Sequence, residues 1–313
     1  MTNPSENQPR LRLGTRRSPL AMAQAEQTRA RLCAAHGWEE SAVELVTVLA
    51  SGDKVQDRPL AEIGGKALWT KELDAWLAEG KIDAAVHSMK DVETIRPPEL
   101  EIAAILPRAD KRDRLIGAAS ITELPENAVV GTSAPRRAAQ LLHARPDCKV
   151  VMFRGNVATR MAKLAAGDAQ ATFLAAAGLE RLGEDGVGHP LDAEEWLPAP
   201  AQGAIGIEIL SSNSATKELI GAINDPKSAT EIFAERALLL ALGGNCHSPI
   251  AALCESDSGH ITMRAALFSP DGAERVDGQL RFAVEDTDGP ARLAHDLLAR
   301  ASAGIIAHFS GQP

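Results

Sequence analysis

The chain opens with L-R-L-G-T, an apolar-polar alternation of strand type, and then changes period at Ser18-Pro19 into an alanine-rich helical run. Serine followed by proline suits an N-cap and a first helical turn, and His36-Gly37 supplies the matching stop. V-E-L-V-T-V-L reads as the next strand, residues 68–78 return to helical spacing, and I-D-A-A-V-H-S returns to a strand. Strand and helix keep alternating, which predicts a mostly parallel α/β sheet. A second stretch repeats the opening. V-V-G-T-S-A-P-R-R-A-A-Q-L has the same strand, Gly-Thr, basic pair, proline and helix as L-R-L-G-T-R-R-S-P-L-A-M-A-Q. K-V-V-M-F-R-G-N-V-A-T-R follows with Asn156 as an expected N-cap, and A-T-F-L-A-A-A-G-L-E-R-L-G gives another strand and a short helix.

Proline-marked crossings near I-L-P-R-A-D and L-P-A-P-A-Q-G predict two lobes with a cleft. The last stretch differs. S-A-T-E at 228–231 reads as a capping box opening a helix to about residue 242. I-T-M-R-A-A-L-F and Q-L-R-F-A-V-E read as strands joined at S-P-D-G, before an amphipathic helix over about 291–309. The expected architecture is two α/β lobes and a small C-terminal α+β domain.

At 313 residues the chain exceeds one ordinary core, and 45% hydrophobic with 24% charged residues is a globular composition. Acidic residues number 42 against 33 basic, which disfavours a nucleic-acid binder while permitting a local basic pocket. The polar N-terminus and the lack of any run of about 18 apolar residues predict a cytoplasmic protein without a membrane span. The four cysteines and eight histidines form no metal-site spacing, so no metal is expected. Cys33, Cys148 and Cys254 read as small buried hydrophobes. Cys246 does not. It stands in L-G-G-N-C-H-S-P-I, where Gly243, Gly244 and Asn245 tolerate positive φ and a turn presents the sulfur.

Arg16, Arg17, Arg136, Arg137, Arg154 and Arg160 stand at strand-to-helix turns, where helix N-termini already attract anions. Guanidinium binds carboxylate bidentately, so the set points to a ligand with several carboxylates, against the alternative of solvated helix arginines. In V-H-S-M-K-D-V, Asp91 is a candidate to stabilise a cation or move a proton. Pairing with Lys90 or capping a turn is the structural alternative. The polar, glycine-punctuated stretch 50–66 is long enough for a lid.

The motifs G-T-R-R-S-P-L-A, G-G-K-A-L-W-T-K-E-L, D-A-A-V-H-S-M-K-D-V, V-G-T-S-A-P-R-R, R-G-N-V-A-T-R, A-A-G-L-E-R-L-G, P-A-P-A-Q-G-A-I-G-I-E and G-G-N-C-H-S-P-I, in this order, resemble the porphobilinogen deaminase (hydroxymethylbilane synthase) family. The resemblance implies three domains: residues 1–106 with 200–222, then 107–199, the first two built like periplasmic-binding-protein lobes, and 223–313 carrying the cysteine loop. It implies a dipyrromethane cofactor in thioether linkage to Cys246 and a catalytic Asp91. Cofactor contacts would come from Ser88, Lys90, Thr132, Arg136, Arg137 and Gln202. Substrate contacts would come from Arg16, Ser18, Arg154, Arg160 and Arg181, with Lys66 and Trp69 in the lid. The implied reaction is head-to-tail condensation of porphobilinogen by a monomer, with ammonia lost at each step and a methylene-pyrrolenine cation between. Two departures touch cofactor contacts: Asn245 stands where the family has a second glycine, and Ala134-Pro135 replaces a more usual serine and leucine. The competing reading is a non-catalytic two-lobed anion-binding protein, which has no use for a presented cysteine.

Overall fold

The computed structural model describes residues 9–48, 70–245 and 247–309. Strand β1 (Leu11–Arg16) leads into α1 (Pro19–His36). Ser18 caps α1 by accepting a hydrogen bond from the Ala21 N–H at 3.3 Å, and Gly37 ends it at φ 64°, donating to the Cys33 carbonyl. After β2 (Val43–Val48) come α2 (Lys71–Ala78), β3 (Ala84–Ser88), a single 3-10 turn at Met89–Asp91, and β4 (Leu100–Ile105). Then follow β5 (Asp113–Ile116), β6 (Val129–Gly131), α3 (Pro135–Ala144), β7 (Lys149–Val151), α4 (Val157–Ala165), β8 (Ala171–Ala175), α5 (Ala176–Glu180) and β9 (His189–Pro190). The chain continues through β10 (Ile205–Leu210), α6 (Ser214–Gly221), α7 (Pro226–Ala241), β11 (Ile250–Asp257), β12 (His260–Phe268), β13 (Arg275–Ala283), α8 (Gly289–Arg300) and α9 (Ala303–Ile306).

Two compact units result. The first holds the described residues up to Arg108 together with Ala204–Ala229, around a sheet of order β2-β1-β3-β10-β4. Leu13, Val86, Ile205, Ile207 and Ile209 fill its core at no more than 5% exposure, each burial contributing roughly 1.5–3 kcal/mol. The second unit holds Ala109–Gly203 and the described residues from Thr230, and carries two sheets, β7-β6-β8-β5-β9 and β11-β12-β13. Leu115, Val130 and Phe173 form the core of the five-stranded sheet, with Trp196 stacked on Phe173 at 5.0 Å. Leu238, Cys254, Met263, Leu293 and Leu297 form that of the antiparallel sheet against its helices.

The fold is thus mixed α/β with a C-terminal α+β portion, as expected, but its five-stranded sheets are not mostly parallel. In each, the second strand pairs parallel with both neighbours (β1 with β2 and β3, β6 with β7 and β8). The strand that the chain enters after each crossing, β5 or β10, runs antiparallel to both of its neighbours. The helix expected from Ser228 starts at Pro226, because the Asp225 carboxylate accepts from the Ser228 N–H at 2.8 Å and proline suits the first turn. The Ser228 hydroxyl instead accepts from the Arg108 N–H. The C-terminal helix is interrupted at Ala301, whose backbone is extended, and Ser302 caps the short α9. Among the described residues no helix is long and apolar enough to cross a membrane.

Candidate active site

In the first unit, glycine at position 14 lets β1 pass close under its neighbours: a Cβ there would lie 2.3 Å from Ile82 Cδ1. The strand then delivers Thr15, whose buried hydroxyl donates to the Ala21 carbonyl at 3.1 Å, and Arg16 at its end. On the neighbouring strand, Ser88 ends β3, and the Met89 N–H donates to the Ala204 carbonyl at 3.1 Å. Met89 lies over Gly206, where a Cβ would be 2.1 Å from its sulfur. That packing turns the chain so that Asp91 faces the same cavity as Arg16, Gln24, Thr70, His87 and Ser88. Lys90, half-buried, belongs to the same turn. Asp91 closes the 3-10 turn, and among the described residues no ion pair or side-chain hydrogen bond is seen at its carboxylate.

Behind this cavity His87 Nε2 lies 3.1 Å from the Glu208 carboxylate, which also accepts two bonds from Arg96. Burial would raise the Glu208 carboxyl, but its bonds to His87 and Arg96 outweigh that and hold it down at about 2.

In the second unit, β6 repeats the arrangement. A Cβ on Gly131 would sit 2.4 Å from the Phe153 ring. Thr132 accepts from the Ala134 N–H through its hydroxyl, and α3 starts without a side-chain cap because position 134 is alanine. Arg136 and Arg137 point inward. Their Nη2 atoms each lie 2.7 Å from an Asp113 oxygen, and their Nη1 atoms donate to the Leu197 and Phe173 carbonyls. Trp196 Nε1 and Gln202 Nε2 also donate to Asp113, each at 2.9 Å. Burial alone would raise the Asp113 carboxyl, but the two guanidinium charges hold it far below the usual carboxylate range. Two guanidiniums thus share one carboxylate, and Arg136 Nε and Arg137 Nε are buried without a protein partner. A surplus buried positive charge with unbonded donors fits the acidic side chains of a bound ligand.

Asn156 caps α4 as expected, and Arg160 Nε donates to the Gly155 carbonyl on the same turn. Arg154 is buried, and Arg181, whose guanidinium is pulled down by burial, donates to the Gly203 carbonyl at 2.8 Å. Arg16, Ser88 and Asp91 therefore share a cavity in one unit, with Ser18 and Lys90 adjacent in sequence. Arg136, Arg137 and Gln202 share Asp113 in the other. Lys66, Trp69 and Cys246 lie outside the described residues. Around position 246, Gly243 takes φ 63°, whereas Asn245 uses its carboxamide to accept from the His247 N–H. The Ser248 hydroxyl accepts from the Asn245 N–H and donates to the His308 carbonyl.

Sequence reasoning missed Asp113, Arg96, His87 and Glu208. Asp113 opens a short strand, and nothing local marks it, since Arg136 and Gln202 lie 23 and 89 positions away.

The family model described as "Porphobilinogen deaminase, dipyromethane cofactor binding domain" matches residues 11–218, and "Porphobilinogen deaminase, C-terminal domain" matches 229–299. A porphobilinogen deaminase of Sphingopyxis alaskensis is 54% identical over 306 residues, covering 96% of each chain. One of Paracoccus denitrificans is 48% identical over 98% of this chain and 99% of the relative. A chloroplastic porphobilinogen deaminase of Oryza sativa is 48% identical over 95% and 85%. Among solved structures, an ancestral arginine-binding protein bound to arginine aligns at 13% identity and TM-score 0.37 over 68% of this chain and 90% of its own.

Proposed function

Since the chain belongs to the porphobilinogen deaminase family, we infer that it condenses four porphobilinogen molecules head-to-tail into hydroxymethylbilane, releasing ammonia at each step. The family's cofactor is a dipyrromethane, and its chemistry is to offer the free pyrrole α-carbon from which the chain grows. The surplus charge and orphaned Nε donors at Arg136 and Arg137 suit its acidic side chains, with Thr132, Gln202, Ser88 and Lys90 as further contacts and Cys246 as the attachment point. Arg16, Ser18, Arg154, Arg160 and Arg181 are proposed to take substrate carboxylates, and Lys66 and Trp69 to lie in the lid. We further propose three domains, at 1–106 with 200–222, 107–199 and 223–313, in a cytoplasmic monomer. The separate sheets and cores support the division.

One observation carries the catalytic reading: Asp91 lines a cavity with Arg16 and Ser88, and among the described residues its carboxylate makes no ion pair. Loss of ammonia from porphobilinogen leaves a cation. A carboxylate about 4 Å from that charge stabilises it by about 4 kcal/mol at the effective dielectric of a protein surface. Arg16 and the N-terminal N–H groups of α1 attract substrate carboxylates, so anionic side chains and cationic centre meet opposite charges in one place. An anion-binding protein without catalysis would account for the arginines but not for Asp91 among them.

Asp91→Asn is nearly isosteric and removes the charge. It should fold, retain cofactor by intact mass and lose roughly 10²–10³ in turnover, with Asp91→Glu retaining more. A cofactor-loaded Asp91→Asn enzyme that turns over within a few-fold of wild type ends the catalytic assignment.

A further inference from the structure

Thr70 stands at the N-cap of α2, yet its hydroxyl makes no cap bond. It donates instead to Glu93 at 3.0 Å and accepts from Arg96 Nη1 at 3.3 Å. Arg96 makes four more bonds: Nε and Nη2 meet the two Glu208 oxygens at 2.8 Å each, Nη2 also meets Asp74 at 2.6 Å, and Nη1 meets Glu93 at 2.7 Å. One guanidinium, 9% exposed, therefore ties together the irregular segment after Asp91 (Glu93), the head of α2 (Thr70, Asp74) and strand β10 (Glu208). Two residues held this way face the Asp91 cavity: Thr70 through Glu93 and Arg96, and His87 through Glu208. The connection from Val92 to Glu99 holds no strand or helix; its ends are tied by the Val92 N–H to the Met89 carbonyl and by the Glu99 carbonyl to the Ser211 N–H, and Ile95 within it is exposed.

We propose that Arg96 is a positioning residue for the condensation, holding the Thr70 and His87 walls and the turn that aims the Asp91 carboxylate into the cavity. The proposal rests on Asp91 being the catalytic carboxylate. A planar fork is required, because only guanidinium meets Glu208 through two parallel bonds while reaching two further carboxylates and a hydroxyl. Lysine keeps the charge with at most three donors on a flexible stem, so the wall would relax without the cluster losing its cation. A displacement of about 1 Å at a reacting group costs on the order of a hundredfold in rate.

Removing the cation outright would strand Asp74, Glu93 and Glu208 together, so the test uses milder changes. Arg96→Lys, Glu93→Gln and Thr70→Val are assayed for kcat and KM with porphobilinogen, cofactor content by intact mass and thermal unfolding on the same samples. Arg96→Lys should stay loaded with cofactor and lose about ten- to a hundredfold in kcat with KM nearly unchanged, and the other two should show smaller losses with the same split. In an Asp91→Asn background the Arg96→Lys loss should largely vanish, because a residue acting through Asp91 has nothing left to position. If Arg96→Lys fails to fold, Glu93→Gln and Thr70→Val carry the same comparison. Wild-type kcat in these loaded variants, or a loss that multiplies unchanged onto Asp91→Asn, overturns the proposal. Normal turnover by Asp91→Asn alone instead overturns the role of Asp91, so the two failures are told apart.

Discussion

Asp113 is one carboxylate facing two guanidiniums, and that imbalance decides what each substitution does. Arg136→Leu leaves a matched pair, Asp113 with Arg137, so the variant should fold at neutral pH yet fail to acquire cofactor. Asp113→Asn leaves two buried cations without a counter-charge and should cost about 3–5 kcal/mol in urea unfolding. A cost under about 1 kcal/mol would show that the cluster is not charged as drawn. The pH dependence follows from the depressed carboxyl. Its contribution is full above the unfolded value of about 3.9 and is lost as pH falls from there through the lower folded value. Glu208 behaves likewise between its ordinary 4.5 and about 2. Wild type should therefore lose stability below about pH 4 more steeply than Asp113→Asn does.

The two Gly-Thr elements show what the sequence made legible and what it hid. Strand, turn, N-cap and helix were readable at Ser18, Gly37 and Asn156, because caps act within a few residues of themselves. The reason for Gly14 and Gly131 was not readable, because it lies across the fold. Neither takes a positive φ; each is small because Ile82 or Phe153 lies against it. The antiparallel entry of β5 and β10 was hidden for the same reason, since pairing direction is settled by partners far along the chain. The capping box at Ser228 misled because Asp225, three residues earlier, offers its carboxylate to the same first turn. Gly131→Ala brings a methyl against the whole Phe153 ring rather than one flexible tip. It should cost about 1–3 kcal/mol of overpacking in equilibrium unfolding. A stability unchanged from wild type would mean that Phe153 moves aside freely.

Across the whole chain, 42 acidic residues outnumber 33 basic ones, yet arginines stand at strand-to-helix turns of both lobes and two of them are buried with half their countercharge. A protein with this balance concentrates positive potential where a polycarboxylate must sit rather than over its surface. Each lobe builds its turn from the same five-strand order, so both present a helix N-terminus and adjoining arginines from the second strand of the sheet, β1 or β6. On the proposed function these features serve a dipyrromethane carried on Cys246. Intact mass of the purified protein measures this most directly. The mass should exceed that of the bare chain by one dipyrromethane, lose that increment in Cys246→Ala, and keep it in Cys33→Ala, Cys148→Ala and Cys254→Ala. Active protein at the bare-chain mass, or an increment that survives Cys246→Ala, would contradict it.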